Sequence, residues 1–544
     1  MLTLTAYNNA VAAAEAQAAA DLAVARAAEL ADSKLTGTAP VFLVASSTVS
    51  AAVKRAASYV GTGIADQTKI QAAVDAAFAA GGGTVQLTGG TFFNSAPVTL
   101  HPTVKIIGAH GEQIYNPGQF TGPSVIKPVA GFTGGAVFVL LDQTNGGYVS
   151  KSAEQQIMSL TIDGTGVVGV PVHGIQGGGY IHGVLLRDVA IRGMSGKGIY
   201  TFFENGAQPF SWTFEHVVVD NSEGDGIHLI NHSDATLIDV VSIGAGGNAF
   251  IFSNMPNSRA LGCRAEWSEG TGYYITGNFG NGQGSGGMSL VGCSSDRNRF
   301  DGMLVNATGT APLLVQGCTF RRDGRNGNAG GGDYSGFRAT GAGMPIIIDG
   351  LSVSPGVDDT GAGVNSPVNA FKVSGSTYVA LGSGFLHGAT AGFVDGGGNG
   401  MLRRGPNIGE RTGTTNAPVD VFGGAWKAYG YTELDGGQSN GKWNIWSGGP
   451  DALNIGSLGG GIAIKEGVNG RMGVATLAAG TVTVANTSVT ANTRIFLTGQ
   501  GNGASGTPGT PRVSARTPGV GFTITSSSAS DTSPVAWELK EPAA

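Results

Sequence analysis

The chain has 544 residues, 94 of them glycine, with 41% hydrophobic and 12% charged residues and a formal net charge of −6. The glycines follow no G-X-Y period, which excludes collagen, and the apolar content excludes a disordered polymer. The acidic balance gives no footprint for nucleic acid, no apolar run is long enough for membrane insertion, and three cysteines argue against a disulfide framework.

In chain order, residues 1 to about 33 are alanine-rich and free of glycine and proline, which predicts a helix. Leu4, Tyr7, Val11, Ala14, Ala18, Leu22 and Ala25 make one narrow stripe, suited to packing against copies of itself. No basic n-region with an apolar core opens the sequence, so no secretory signal is read. A second helical stretch is expected near 46–58. A third follows at 66–80, with Asp66 as its cap and Ile70, Val74 and Ala77/Phe78 as its apolar face. Gly81-Gly82-Gly83 stops it, and Val85–Leu87 is expected to begin a first coil of strands with the helix lying over its open end.

From about 158 to 390 one pattern recurs: SLTIDG (159–164), DVAIRG (188–193), HVVVDN (216–221), DVVSIG (239–244), GCRAEW (262–267), GCSSDR (292–297), GCTFRR (317–322) and GLSVSP (350–355). Second strands start at 198, 226, 249, 272, 302, 336 and 370, a spacing of 23 to 34 residues that marks a solenoid built of strands. Positions two and four of the segments are mostly apolar and share one face, so they point inward. Cys263, Cys293 and Cys318 fall in one such column and read as a buried ladder of small side chains. No metal site and no cofactor are expected. From about 410 the chain turns rich in tryptophan and tyrosine, then in alternating threonine and valine, as in a β-sandwich.

The run IQAAVDAAFAAGGGTVQLTGGTF resembles the opening of the pectate-lyase-like superfamily of right-handed β-helices, to which many phage tailspikes belong; Thr88 stands where that pattern has proline. GTVTVANTSVTANTRIFLT and GFTITSSSASDTS resemble the carboxy-terminal module of tail-associated proteins of actinobacterial phages. The resemblance implies an all-β fold: a right-handed parallel β-helix (59–405), an amino-terminal helical attachment or trimerisation segment (1–58) and a β-rich module (406–544). It further implies a homotrimeric spike or fibre-like minor tail protein on the virion. Its partners would be other tail proteins and host cell-surface polysaccharide, met outside the cell.

Carbohydrate hydrolysis on such a rod needs paired carboxylates, and a lyase needs a base with a cation. Position five of the repeat runs Asp163, Arg192, Asp220, Ile243, Glu266, Asp296, Arg321, Ser354. Glu266 and Asp296 are expected one coil apart, and Glu223 and Glu269 two coils apart, roughly 9 to 10 Å. These four are the candidate catalytic residues. Asp225, His228, Trp267, Arg299 and Arg321 are the candidate glycan contacts, although solvated or mutually paired turn charges would look the same. The Asn-Thr-Asp, Asp-pair and Gly-His-Gly segments of polygalacturonases are missing, and Asp358-Asp359 falls in a loop without partner motifs. An adhesin and a depolymerase, either hydrolase or lyase, both remain open.

Overall fold

The computed structural model describes residues 39–111, 123–142, 155–167, 169–279, 286–326, 333–412, 420–422, 466, 469–501 and 506–542. The alanine-rich segment and Trp426, Tyr429, Tyr431, Trp443 and Trp446 lie outside them. The described residues fall into two compact units, divided between residues 431 and 432. The first is a right-handed parallel β-helix. A 22-stranded parallel sheet bends around a corner to supply two faces, and a 12-stranded parallel sheet supplies the third.

Each coil contributes three strands. In one, Thr213–Glu215 lies on the first face, Val218–Asp220 on the second and Ile227–Ile230 on the third; the next repeats this with Thr236–Ile238, Val241–Ile243 and Phe250–Ser253. The repeat visible in the sequence covers only the second and third faces. First-face strands such as Thr213–Glu215 and Arg259–Leu261 hold three residues and turn one inward, Phe214 or Ala260, which is too little to show a period. Residue one of every aligned segment, from Ser159, Asp188, His216 and Asp239 to Gly262, Gly292, Gly317 and Gly350, sits in the left-handed region at φ 49° to 67°. That shared conformation is the corner between the first and second faces, and glycine and short polar residues occupy it because they tolerate it best.

The inward columns are as read from the sequence. Leu160, Val189, Val217, Val240, Cys263, Cys293, Cys318 and Leu351 are buried, as are Ile162, Ile191, Val219, Ser242, Ala265, Ser295, Phe320 and Val353. The thiol of Cys263 beside it, together with burial, pushes Cys293 up to about 12, which keeps it a thiol near neutral pH. Position five also pairs in the expected register, with Arg192 between Asp163 and Asp220 and Asp296 between Glu266 and Arg321.

Helix Gln67–Ala79 packs across strands Val41–Ala45, Gly83–Leu87 and Val98–Leu100 and buries Ile70, Ala73, Val74 and Ala77 in the core. Three expectations change here. Asp66 makes no helix-capping bond; its carboxylate accepts the backbone N–H groups of Thr62, Gly63 and Phe93 and so ties the helix entry to the second face. Phe78 is exposed and stacks on His101 with ring centroids 4.5 Å apart. Gly83–Leu87 is not the first rung, because Val41–Ala45 pairs beneath it in parallel. The glycines act differently: Gly81 and Gly82 take positive φ to end the helix, whereas a Cβ on Gly83 would meet the Pro40 carbonyl at 2.7 Å.

The expected helix over 46–58 shrinks to Ala51–Ala56, capped by Ser50. The β-helix therefore begins within 1–58, at the five-residue strand VFLVA, and Met401–Thr412 carries it past 405. In the second unit, Met472–Thr476, Arg494–Gly499 and Pro534–Lys540 form one antiparallel sheet, and Thr481–Ala485, Pro511–Thr517 and Gly521–Ser526 form another. Leu477, Phe522, Ile524, Val535, Trp537 and Leu539 fill the core they share. No helix among the described residues is long and apolar enough to cross a membrane.

Polar side chains stitch the turns between rungs. Asn298 accepts Ser268 N–H and donates its amide to Asp323, whose other oxygen takes the Ser295 hydroxyl at 2.5 Å. Burial pushes the Asp323 carboxyl up to about 7; the hydrogen bonds from Ser295 and Asn298 oppose this and the Asp296 charge adds to it. Native Asp323 therefore holds a proton between pH ~4 and ~7 that the unfolded chain has released, so its contribution to stability falls as pH rises through that window. His232 and His173, lowered to about 3 and about 4 chiefly by burial, act with the opposite sign. The difference between wild type and Asp323→Asn isolates the carboxyl: the variant should gain relative urea resistance steadily from pH ~4 to ~7. A constant difference would refute the assignment.

Candidate functional site

The outward positions of the third face carry a run of rings and charges. Tyr200 and His228 pair in register on neighbouring rungs, with ring centroids 5.5 Å apart in an edge arrangement. Tyr200 also lies 5.2 Å from His173 and stacks on Phe202 at 5.3 Å. Lys197 reaches over this strip: Nζ is 4.3 Å from the Tyr200 centroid, 2.6 Å from His228 Nδ1 and 3.5 Å from Asp225 Oδ2. Asp225 Oδ2 is also 2.9 Å from His228 Nδ1, and Oδ1 accepts the backbone N–H of Asn248 at 3.0 Å.

The local sequence explains the placement. In both KGIY (197–200) and DGIH (225–228), the glycine before each strand lets the coils close up. A Cβ on Gly198 would meet Val219 at 2.3 Å, and one on Gly226 would meet Ser242 at 1.9 Å. Isoleucine then turns inward, and Tyr200 or His228 outward. Burial pushes Asp225 up, but hydrogen bonds from His228 and Asn248 and the charges of His228 and Lys197 outweigh it and hold the carboxyl at about 2. Burial, with the charges of Lys197 and His228, lowers His173 to about 4. His173 is therefore neutral; its Nδ1 accepts Lys197 N–H at 2.8 Å, which leaves the ring hydrogen on Nε2.

His228 Nδ1 can serve only one neighbour at a time. Bearing a hydrogen, it donates to Asp225; bare, it accepts from Lys197. The cluster thus couples the position of the Lys197 ammonium to the tautomer of His228.

The sequence candidates divide into three groups. Asp225 and His228 are brought together here. Asp296 is clamped by Arg321 at 2.7 Å and by Arg322 at 2.6 Å, and Glu266 pairs with Arg264 at 3.2 Å. Glu269 bonds Arg299 at 3.0 Å and also Arg325, which keep its carboxyl low. Glu223 is exposed, and of the four carboxylates it alone makes no ion pair or side-chain hydrogen bond among the described residues. Trp267 is half-buried in a left-handed corner at φ 54°. Asp358 and Asp359 do have partners: Arg297 and Arg322.

Lys197, Tyr200 and His173 were missed. The signal for Tyr200 lay in the second-strand column, where the outward third residue is Tyr in GIYTF and His in GIHLI; Lys197 and His173 fall outside that column. The sequence GQSNG (437–441) meets a G-x-S-x-G spacing but lies outside the described residues.

Residues 469–540 match the family model described as the C-terminal domain of K1 capsule-specific polysaccharide lyase. Among solved structures, the chain is similar to the A-module of mannuronan C-5 epimerase AlgE4 from Azotobacter vinelandii, at 19% identity over 68% of this chain and 96% of that one, with a TM-score of 0.44. It is similar to the enzymatically active domain of tailspike protein 2 of bacteriophage CBA120, at 14% identity over 63% and 50%, with a TM-score of 0.44. It is also similar to pre-mature gene product 12 of bacteriophage phi29, at 14% identity over 64% and 50%, with a TM-score of 0.42. The β-helix itself is read from the strand register above.

Proposed function

We propose that this chain is a phage tail spike or fibre-like protein that binds an acidic host-surface glycan along the third face of its β-helix and cleaves it by β-elimination. The carrying observation is the Lys197–His228–Asp225 triangle beside Tyr200: a cation, a candidate base and its orienting carboxylate on one outward strip. The match of residues 469–540 to the C-terminal domain of a polysaccharide lyase supports a glycan as the ligand.

In this reading a uronate carboxylate draws Lys197 toward itself. Nδ1 of His228 then keeps its hydrogen on Asp225, and Nε2 is left bare to act as base. Nε2 takes the proton from C5, the electron pair forms the C4–C5 double bond, and the C4–O4 bond breaks. Tyr200 O–H gives its proton to O4. No water is consumed. Lys197 lowers the barrier by neutralising the carboxylate on which charge develops.

The test is incubation of the full chain with a panel of uronate-containing polysaccharides, followed by ultraviolet absorbance of the unsaturated end. Lys197→Ala should abolish the signal on any substrate that wild type cleaves. Binding without any product would leave an adhesin. Products that are saturated reducing ends, lost in Glu223→Gln, would replace elimination by hydrolysis at the unpaired carboxylate.

A further inference from the structure

A cleft of about 510 Å³ opens where the third-face strands end, its walls formed by Tyr180, Phe203 and Phe210 and its polar groups by Gln208, Asn231 and Asn254. Among the described residues, no charged side chain lines it. It continues the strip just described: Phe203 follows Tyr200 by three residues, and Asn231 follows His228 by three, a step of roughly 10 Å along a strand.

The walls are fixed. Phe203 is 52% exposed, yet the loop beyond it is closed by reciprocal backbone bonds between Glu204 and Ala207 at 3.1 and 2.9 Å. Tyr180 meets Phe210 edge-on at 5.0 Å. Asn231 and Asn254 occupy the left-handed corner at φ 48° and 54°, on successive rungs. Asn254 Nδ2 donates to Asn231 Oδ1 at 2.7 Å. That bond consumes one amide's oxygen and the other's hydrogen, which leaves an N–H donor on Asn231 and a carbonyl acceptor on Asn254. His232, between the two lining residues Asn231 and Ser233, turns inward and packs on Trp212 at 5.0 Å, which anchors this stretch of chain in the core.

We infer that this cleft is a subsite for an uncharged pyranose, N-acetylated or plain, adjoining the uronate bound at Lys197. Aromatic walls suit the apolar face of a sugar ring, and the free donor and acceptor suit an acetamido group or a pair of hydroxyls. An uncharged lining would desolvate a carboxylate without compensation, so a second uronate is disfavoured there. The glycan recognised is then a heteropolymer in which acidic and neutral residues alternate, rather than a polyuronate. This inference rests on the reading of the Lys197 cluster as the acidic subsite, and its test separates the two.

The probe is a hyaluronan octasaccharide, alternating glucuronate and N-acetylglucosamine, set against an oligogalacturonate of equal length. Binding to the full chain is measured by titration calorimetry for wild type, Phe203→Ala, Asn231→Ala and Lys197→Ala, with thermal melts confirming that each variant is folded. Wild type should prefer the alternating oligomer. Phe203→Ala should weaken that preference about ten- to hundredfold, the worth of one aromatic face removed from water, while leaving oligogalacturonate unaffected. Loss in Lys197→Ala with no change in Phe203→Ala or Asn231→Ala overturns the cleft subsite and keeps the acidic one. Loss in Phe203→Ala with none in Lys197→Ala keeps the cleft and overturns the acidic subsite. Equal binding of both oligomers by wild type, or binding of neither, overturns the neutral subsite.

Discussion

His228→Ala should lower turnover on any glycan that wild type cleaves by about 10²- to 10⁴-fold, the range expected when a positioned general base is removed. The affinity for substrate should change far less, because Lys197 and the aromatic strip remain. The fold should survive: Asp225 loses one partner but keeps the Asn248 N–H at 3.0 Å and the Lys197 ammonium at 3.5 Å. Asp225→Asn tests positioning separately. An amide can pair with either face of the ring and no longer favours the tautomer with Nε2 bare, so turnover should fall while its pH profile changes shape. If His228→Ala retains full turnover and Glu223→Gln does not, the strip is a binding surface and the chemistry lies at Glu223, in the turn between the second and third faces. Stopped-assay kinetics with the three variants decides this.

What the sequence made legible follows from periodicity. Val217, Cys263 and Cys293 could be placed inside because eight segments align and repeat the same apolar positions, and stacking a coil on its copy enforces that agreement. The position-five register was legible for the same reason, down to Asp296 beside Arg321. The first-face strands were not, because three residues cannot show a period, nor was Val41–Ala45, a five-residue strand isolated from any repeat. The candidate site was half legible. Asp225 and His228 stood out together in the short segment NSEGDGIHL, but Lys197 and His173 join them only through stacking of coils 24 to 31 residues apart in the chain. Conversely, three of the four candidate carboxylates, Glu266, Glu269 and Asp296, are held by arginines. Arg322 bridges from Asp296 to Asp359, which lies 37 residues beyond the arginine itself, and no local pattern encodes such a contact.

Arg297 supplies the largest stability effect expected. Its side chain is 1% exposed and sits at a left-handed corner, φ 58°, where most residues avoid standing. The guanidinium bonds Asp358 through Nε, and Nη1 reaches Val364 O and Ser366 Oγ at 3.0 Å each, with Arg322 O and Gly356 O at 3.3 and 3.4 Å. It thereby fills the excursion from Pro355 to Pro367, which closes on itself through the reciprocal backbone bonds of Gly356 and Ser366. The chain makes room for it: a Cβ on Gly363 would lie 2.5 Å from Nη2, and Gly363 takes φ 86°. Lysine cannot reproduce this planar fork, so Arg297→Lys should behave more like a deletion than a conservative change. Arg297→Met keeps the volume but removes every donor, and strands a carboxylate and several carbonyls, at about 3–5 kcal/mol. Adding Asp358→Asn should recover part of that loss, because the uncompensated charge goes with it while the bare carbonyls remain. Urea denaturation of the two variants, with limited proteolysis between 355 and 367, measures both effects. A loss below about 1 kcal/mol for Arg297→Met would mean that the excursion folds without its internal cation.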